Sequence, residues 1–370
     1  MSKKTVFLIS HQSDLSGAPL SLFYLAGELN KHEEYEVIFI VPERGPLLQK
    51  LKTENIETVV LGGLKELQFI RLLIKHRPSL LHVNTSVNWY AAFIGKLFNI
   101  PVIWHIREDL SHHPWLVKFI VRYSDKIIAI SESVRGYFPK KYHYKIPIVY
   151  NAVDSSLLTS KSHDNMLQKA KNILFPDSFA KHTGIKIGYL GSIEPRKGIK
   201  ELAEAFFRVN LKYPASTLHI AGSVLPVAKS YYRKILKFCL KNGIEKLVFW
   251  HGSIDNIIDF FNEMDIIIVP SLSEPFGRVV IEAMAAGKPV IGSNCGGIPE
   301  IIQNGETGFL AEPGNSIDLS RVMFEVMNMN SADIVDIINN AREMVAEKFS
   351  LNKQLSEVLI VYKSVLDHDH

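Results

Sequence analysis

An α/β protein of two units, each built on a parallel sheet with helices on both faces, is the fold the sequence predicts. Three observations carry it. Short, nearly all-apolar runs alternate with amphipathic stretches from one end of the 370 residues to the other, as strands buried on both faces do between crossover helices. A polar interval over residues 151–183 breaks that rhythm near the middle. A chain of this length is also on the order of two domains.

In the first half the apolar runs are 5–10, 36–41, 58–61, 80–84, 102–105, 126–130 and 147–150. Helical patterns lie between them at 20–30, 64–76, 88–98 and 115–123. The interval 151–183, rich in Ser, Lys and Asp, reads as a linker plus a surface excursion. Beyond it, strands are expected at 185–190, 217–221, 247–250, 266–269 and 290–292. Helices fill 199–213, 227–241, 277–286, 317–327 and 332–348, with a last one near 352–366. The helix over 277–286 ends before Gly287, which suits a left-handed cap, and Pro289 forbids its continuation. Ligands of open parallel sheets bind beyond the carboxyl ends of the strands, so function is expected in the loops that follow strands, in a cleft where the two sheets face each other.

Composition excludes several classes. At 47% hydrophobic and 22% charged the chain is neither disordered, collagen-like nor a disulfide scaffold. Its two cysteines, Cys239 and Cys295, form no CxxC or Cys/His metal spacing, and a reduced cytosolic compartment is expected. The apolar run at the N-terminus is too short for a signal-peptide core. The apolar stretches 91–106 and 279–291 are interrupted by Lys96 and by Glu282 and Lys288, so neither reads as a membrane span. The expectation is a cytoplasmic protein without a transmembrane anchor. The net charge of +4 hides an asymmetry: residues 1–150 hold 19 Lys and Arg against 13 Asp and Glu, with 8 of the 14 His. A basic first half suits a phosphate-bearing substrate or a membrane surface; ordinary scatter of solvated charge is the competing account. A nucleic-acid binder is disfavoured, because basic and aromatic residues do not interleave along one stretch.

The chemistry concentrates in a few loops. In Ser273-Glu274-Pro275-Phe276-Gly277 a loop carboxylate precedes a helix whose first N–H groups can take a phosphate. Glu274 and the N–H groups of Phe276 and Gly277 can thus grip a sugar hydroxyl and a phosphate together. Glu282, inside that apolar helix, needs a ligand or a partner, and Arg278 at i, i+4 spacing is the available partner. In Gly191-Ser192-Ile193-Glu194-Pro195-Arg196-Lys197-Gly198 two adjacent cations before a helix suit a diphosphate. The loop is neither a Walker loop nor a GxGxxG turn, and a solvated basic pair is the alternative. Gly17 in the first loop lets a phosphate approach the backbone. His105, Arg107, Glu108 and Asp109 cluster at a strand end, and Asn84-Thr85 follow another, where an acceptor could be touched. His112-His113 lack a third ligand, so no metal site is expected.

These residues resemble the retaining glycosyltransferases of family 4. The resemblance rests on the E-x7-E motif Glu274…Glu282 within EPFGRVVIEAMAAGKPVI, on GSIEPRKG, and on NCGGIPE and NGETGFL downstream. SGAP, PVIWH, AISESV and VYNAVD agree more loosely in the first half. The resemblance implies a GT-B fold, two Rossmann-like doubly wound domains facing across a cleft. Residues 1–150 would bind acceptor, 151–350 the nucleotide-sugar donor, and the helix in 351–370 would cross back to the first domain. It implies that Glu274 contacts the donor sugar and Glu282 the ribose. Arg196 and Lys197 would neutralise the diphosphate, helped by Gly17 and the N–H groups of Phe276 and Gly277, and His105 would lie near the reacting sugar. Ser16 and Pro19 depart from the family's first loop, and residues 157–183 match nothing in it.

No carboxylate pair offers itself for Mg²⁺ or Mn²⁺, so the expected catalysis is metal-independent, without cofactor, and uses a UDP-, GDP- or ADP-sugar as co-substrate. Arg196 and Lys197 would stabilise the departing diphosphate. Same-face attack, with the leaving phosphate helping to deprotonate the acceptor, is the route to retention that the resemblance implies. The expected role is bacterial-type surface glycan or glycolipid synthesis, with a glycan or lipid-linked acceptor met by the basic first half at the inner membrane face. A sugar-nucleotide epimerase or phosphorylase on a similar frame, and a non-catalytic nucleotide-sugar sensor, are the other readings.

Overall fold

The computed structural model describes residues 3–154, 157 and 184–367. Apart from Leu157, the excursion over 157–183 lies outside these residues. The chain divides into two compact units, residues 1–152 with 349–370, and residues 153–348.

The first unit carries a six-stranded parallel sheet of order β3-β2-β1-β4-β5-β6. Its strands are β1 (Lys4–Ile9), β2 (Tyr35–Val41), β3 (Glu57–Val60), β4 (Leu80–Asn84), β5 (Val102–Ile106) and β6 (Lys126–Ala129). Val6 stands between Val37 and Leu80, and Asn84 stands opposite His105. The strands are continuously apolar because helices cover both faces. On one face, Leu22, Leu25 and Leu29 of the helix Gly17–Asn30 pack with Val358, Val361 and Tyr362 of the last helix, Leu351–Leu366. Each such side chain contributes about 1.5–3 kcal/mol on burial.

The second unit repeats the plan. Its strands β7 (Lys186–Leu190), β8 (Thr217–Ala221), β9 (Val248–Gly252), β10 (Ile266–Val269), β11 (Val290–Ser293) and β12 (Phe309–Ala311) lie in the order β12-β11-β10-β7-β8-β9. Counted from its own first strand, this is the order of the first sheet. In both, the strand order reverses at the unit's first and fourth strands, β1/β4 and β7/β10. The crevice outside their carboxyl ends is where doubly wound sheets take ligands.

Two differences from the sequence reading have physical causes. Residues 147–150 form no strand: only Ile148 bridges Ala129, after which the chain leaves the sheet and Asn151 accepts a hydrogen bond from Arg107. The strand β12 has only three residues and borders polar turns, so its apolar run is too short to stand out. No helix among the described residues is long and apolar enough to cross a membrane.

Candidate functional site

In the second unit, the loops after β7 and β10 are fastened to each other. The N–H groups of Leu272 and Ser273 both donate to the carbonyl of Arg196, at 2.7 and 3.4 Å. Gly198 sits at φ +67° where a Cβ would lie 1.8 Å from the carbonyl oxygen of Pro270, so only glycine permits this approach. Across the junction Lys197 Nζ meets Glu274 Oε2 at 2.5 Å, with the two side chains 16% and 12% exposed. Ser271 Oγ donates to the same oxygen at 3.2 Å. The backbone of Glu274 is held from the loop after β11: Gly297 N–H donates to its carbonyl at 2.9 Å. A Cβ on Gly296, at φ +57°, would stand 1.9 Å from that carbonyl oxygen. The outcome is a carboxylate fixed in front and behind at the carboxyl end of β10.

The two cations expected to act together are parted. Pro195–Lys197 is a single 3-10 turn, whose successive side chains point about 120° apart. Lys197 therefore turns inward to Glu274, while Arg196, 46% exposed, pairs with Glu194 at 2.8 Å. Ser192 Oγ steadies Glu194 at 2.7 Å.

Phe276 is buried, and Gly277 at φ +109° leads into the helix Arg278–Ala285, which has no side-chain cap. The helices Gly17–Asn30 and Ile199–Lys212 also start without one, whereas Asn256, Asn315 and Ser350 cap the helices they precede. Helix N-termini carry N–H groups without intrahelical partners and favour anions. Other helices, such as Lys65–His76, Trp89–Leu97 and Lys229–Lys241, also lack a side-chain cap, and it is a place at the switch points that sets Gly17–Asn30, Ile199–Lys212 and Arg278–Ala285 apart. Glu282, buried one turn into its helix, accepts from Arg278 Nη2 at 2.6 Å, so the i, i+4 pair is formed. Cys295 Sγ donates to the Ser271 carbonyl. Burial, with Glu274 second, pushes its thiol up to about 11, so it stays protonated.

In the first unit, Asn84, Thr85, His105, Arg107 and Gly17 come together at the carboxyl ends of β1, β4 and β5. Asn84 Nδ2 donates to the carbonyl of Ala18, next to Gly17, and its Oδ1 accepts from Arg107 Nε at 2.6 Å. Arg107 also donates to Asn151 Oδ1 and to His105 Nδ1. The Glu108 carboxylate takes the N–H groups of Ser86 and Arg107, tying the loops after β4 and β5. Thr85 is held at φ +66° by bonds from its N–H to His105 and to its carbonyl from Trp104 Nε1. Backbone strain in a threonine clusters at functional positions. Burial first, then Arg107 and His82, lowers His105 well below the usual histidine range. Burial likewise lowers His11. His11 Nδ1, Thr85 Oγ1 and His105 Nε2 are buried and have no hydrogen-bond partner among the described residues. Asp109 accepts from Ser111 N–H and is hydrogen-bonded to Tyr137.

Sequence reasoning missed the residues that hold these groups. Gly198 and the pair Gly296-Gly297 were visible as glycines but gave no sign of what approached them. Ser271, His82 and Tyr362 carry no motif, and Glu194 and Asn151, though inside GSIEPRKG and VYNAVD, gave no sign of their partners; His82 is conspicuous as a histidine within the apolar run of β4. Among the described residues, no three His, Cys, Asp or Glu side chains converge as a metal-ligand set.

Comparison with known proteins gives concordant matches. Residues 170–344 match the family described as glycosyl transferases group 1, and residues 15–157 that described as glycosyltransferase family 4. The capsular polysaccharide biosynthesis glycosyltransferase CapM of Staphylococcus aureus is 31% identical over 316 residues, 81% of this chain and 80% of that protein. The N-acetyl-alpha-D-glucosaminyl L-malate synthase of Bacillus anthracis is 27% identical over 256 residues, 69% of this chain and 63% of that protein. This chain thus spans less than two thirds of the length of several curated relatives. Among solved structures, Anabaena Alr3699/HepE, in complex with UDP and glucose, superposes with a TM-score of 0.81 at 22% identity, covering 98% of this chain and 100% of that one. The likeness is one of fold, two doubly wound units as in GT-B glycosyltransferases.

Proposed function

The chain belongs to the group 1 glycosyltransferases with a family 4 first half, and from that premise we propose that it transfers a sugar from a nucleoside-diphosphate sugar to an acceptor hydroxyl with retention of configuration. The observation that carries the reading is the Glu274–Lys197 pair, fixed at the β7/β10 switch point beside the uncapped N-terminus of Arg278–Ala285. A fixed carboxylate suits sugar hydroxyls, and the adjoining cation and helix end suit a diphosphate. HepE is described in complex with UDP-glucose, which makes UDP the first nucleotide to try. Glu282 is assigned to the ribose, and Arg196 is assigned to the diphosphate with Lys197.

In the proposed reaction the bond from the sugar's anomeric carbon to the phosphate oxygen breaks, and that carbon bonds the acceptor oxygen on the same face. The acceptor proton passes to the departing phosphate. Lys197, Arg196 and the helix N–H groups stabilise the charge that builds on the diphosphate. Asn84, Thr85 and Arg107 of the first unit are assigned to the acceptor, a glycan or lipid-linked sugar at an anionic membrane face. Supporting the membrane assignment are the basic first half and two exposed tryptophans, Trp89 and Trp115, on neighbouring helices joined by the Trp89–Phe119 contact.

Thermal-shift titration against UDP, GDP and ADP tests the nucleotide, since a ligand that binds only the folded state raises its stability. One nucleotide should raise Tm at millimolar concentration. No response to any of the three overturns the reading. Proton NMR of the first-formed product with a simple sugar acceptor then reports the anomeric configuration, and inversion rules out retention.

A further inference from the structure

Three side chains of the first unit continue the site inward to the last helix. Tyr362 Oη lies 2.8 Å from His82 Nδ1, and His82 Nε2 lies 3.1 Å from His105 Nδ1. Arg107 Nη2 reaches the same His105 nitrogen at 3.2 Å. His82, His105 and Tyr362 are fully buried, so each proton in the line must have a place.

The guanidinium can only donate. At 3.2 Å it biases His105 Nδ1 toward accepting, which puts the proton of the neutral ring on Nε2. His82 Nε2 faces that bare nitrogen and must be its second donor, which leaves His82 Nδ1 to accept from the Tyr362 hydroxyl. Reversing any one assignment sets two donors or two lone pairs against each other in a dry interior, where an unmet polar group costs about 1–3 kcal/mol. Burial and the neighbouring Arg107 hold both rings neutral, with His82 down to about 3. The far end of the line is His105 Nε2–H, buried with no partner among the described residues.

We propose that Tyr362 and His82 are positioning residues that lock His105 in the Nε2–H form, so that His105 serves the site as a hydrogen-bond donor to a sugar oxygen and not as a base. The ligand half of this statement rests on the glycosyltransferase reading; the locked tautomer does not. The last helix thereby takes part in the first unit's chemistry through its hydroxyl as well as through its apolar packing. A base at this position would need Nε2 bare, and in this line the bare nitrogen is Nδ1, already covered by Arg107 and His82.

The test is long-range proton–nitrogen NMR on full-length protein with ¹⁵N-labelled histidine, His105 being assigned by its loss in His105→Gln. The expected wild-type spectrum shows one protonated nitrogen, Nε2, and no titration of His105 between pH 5.5 and 8. Tyr362→Phe keeps the aromatic packing and should turn the single His105 pattern into a mixture of tautomers. His82→Gln, whose amide N–H can replace the lost donor, should retain the pattern, and His82→Leu should lose it. A merely structural role would not distinguish these two variants. Turnover of UDP-glucose should fall about tenfold in Tyr362→Phe and His82→Leu with nucleotide affinity unchanged. A wild-type His105 that is protonated on Nδ1 or titrates near 6.5 overturns the proposal. So does an unaltered His105 pattern in both Tyr362→Phe and His82→Leu, which would leave Arg107 as the sole determinant. A correct tautomer with no turnover of any nucleotide sugar would sink the functional reading while leaving the lock intact.

Discussion

Replacing Glu274 by Gln separates what its carboxylate does for the fold from what it does for the reaction. Removing one partner from a buried ion pair costs about 3–5 kcal/mol. Here the two side chains keep 12% and 16% exposure, and glutamine retains a hydrogen-bond acceptor, so about 2 kcal/mol is expected. For a unit of this size that lowers Tm by about 4–8 °C. Turnover should fall by more than tenfold, about 1.4 kcal/mol or more, because contacts to the sugar strengthen as positive charge grows on its ring. Nucleotide affinity should stay nearly constant, since a group acting chiefly in the transition state sets kcat. The double variant Lys197→Met/Glu274→Gln removes the stranded ammonium and should regain part of the lost stability but none of the turnover. Calorimetry, nucleotide titration and steady-state kinetics on wild type and both variants complete the assay. Normal turnover in Glu274→Gln, or its recovery in the double variant, refutes the sugar-site assignment.

Glu282→Gln should weaken UDP binding about tenfold or more with kcat little changed at saturating donor. Unaltered affinity with a lowered Tm would mean that the Arg278 pair is its whole role. His82 and His105 are held neutral in the folded first unit, while the unfolded chain binds their protons near pH 6.5. Their contribution to stability is therefore complete above about pH 6.5 and is lost as pH falls toward 3, at up to about 1.4 kcal/mol per pH unit for each group. Urea midpoints followed by the fluorescence of the buried Trp104 should fall from pH 7.5 to pH 5, and a constant midpoint would contradict this. Sedimentation with anionic vesicles should show binding at low salt that weakens at high salt, each basic residue near the surface contributing about 1 kcal/mol. No binding at low salt removes the membrane assignment, and Trp115→Ser should weaken what binding there is.

Fold and site were legible in the sequence to different degrees. The strands β4, β8 and β10 were read at their observed bounds, because a strand buried on both faces is a closed apolar run with polar residues at each end. The end of Arg278–Ala285 was legible too, since Gly287 at φ +72° ends the helix as its residue type implies. Short helices such as Leu47–Thr53 and Ile257–Glu263 were not, as fewer than two or three turns give the apolar period too little length to register. The local Arg278–Glu282 pair followed from its i, i+4 spacing, but the long-range partners of the candidate site residues did not follow from the sequence. The meeting of Lys197 with Glu274, 77 residues apart, depends on two loops crossing at Gly198. The bond from Tyr362 to His82 spans 280 residues and depends on the last helix packing on the first sheet.

Charge distinguishes the two strand-end sites and supplies a physical reason for assigning them to different substrates. After β7 and β10 the groups left partly exposed are ionic: Lys197, Arg196 and Glu274, beside an uncapped helix. They can exchange an internal ion pair for a charged ligand at little extra desolvation cost. After β1, β4 and β5 Arg107 is turned onto amides and an imidazole and Glu108 onto backbone N–H groups, while Asp14 stays at the surface. The buried side-chain atoms there without partners among the described residues belong to His11, Thr85 and His105, each an imidazole or a hydroxyl. A sugar hydroxyl, which both donates and accepts, suits these neutral groups, whereas the anion-favouring feature on that side is the start of the helix Gly17–Asn30. Hydrogen exchange should accordingly show UDP slowing amides in residues 191–198 and 272–280, and a neutral acceptor sugar slowing those in 84–88 and 105–108. If UDP alone protects 84–88 and leaves 272–280 unchanged, the two assignments must be exchanged.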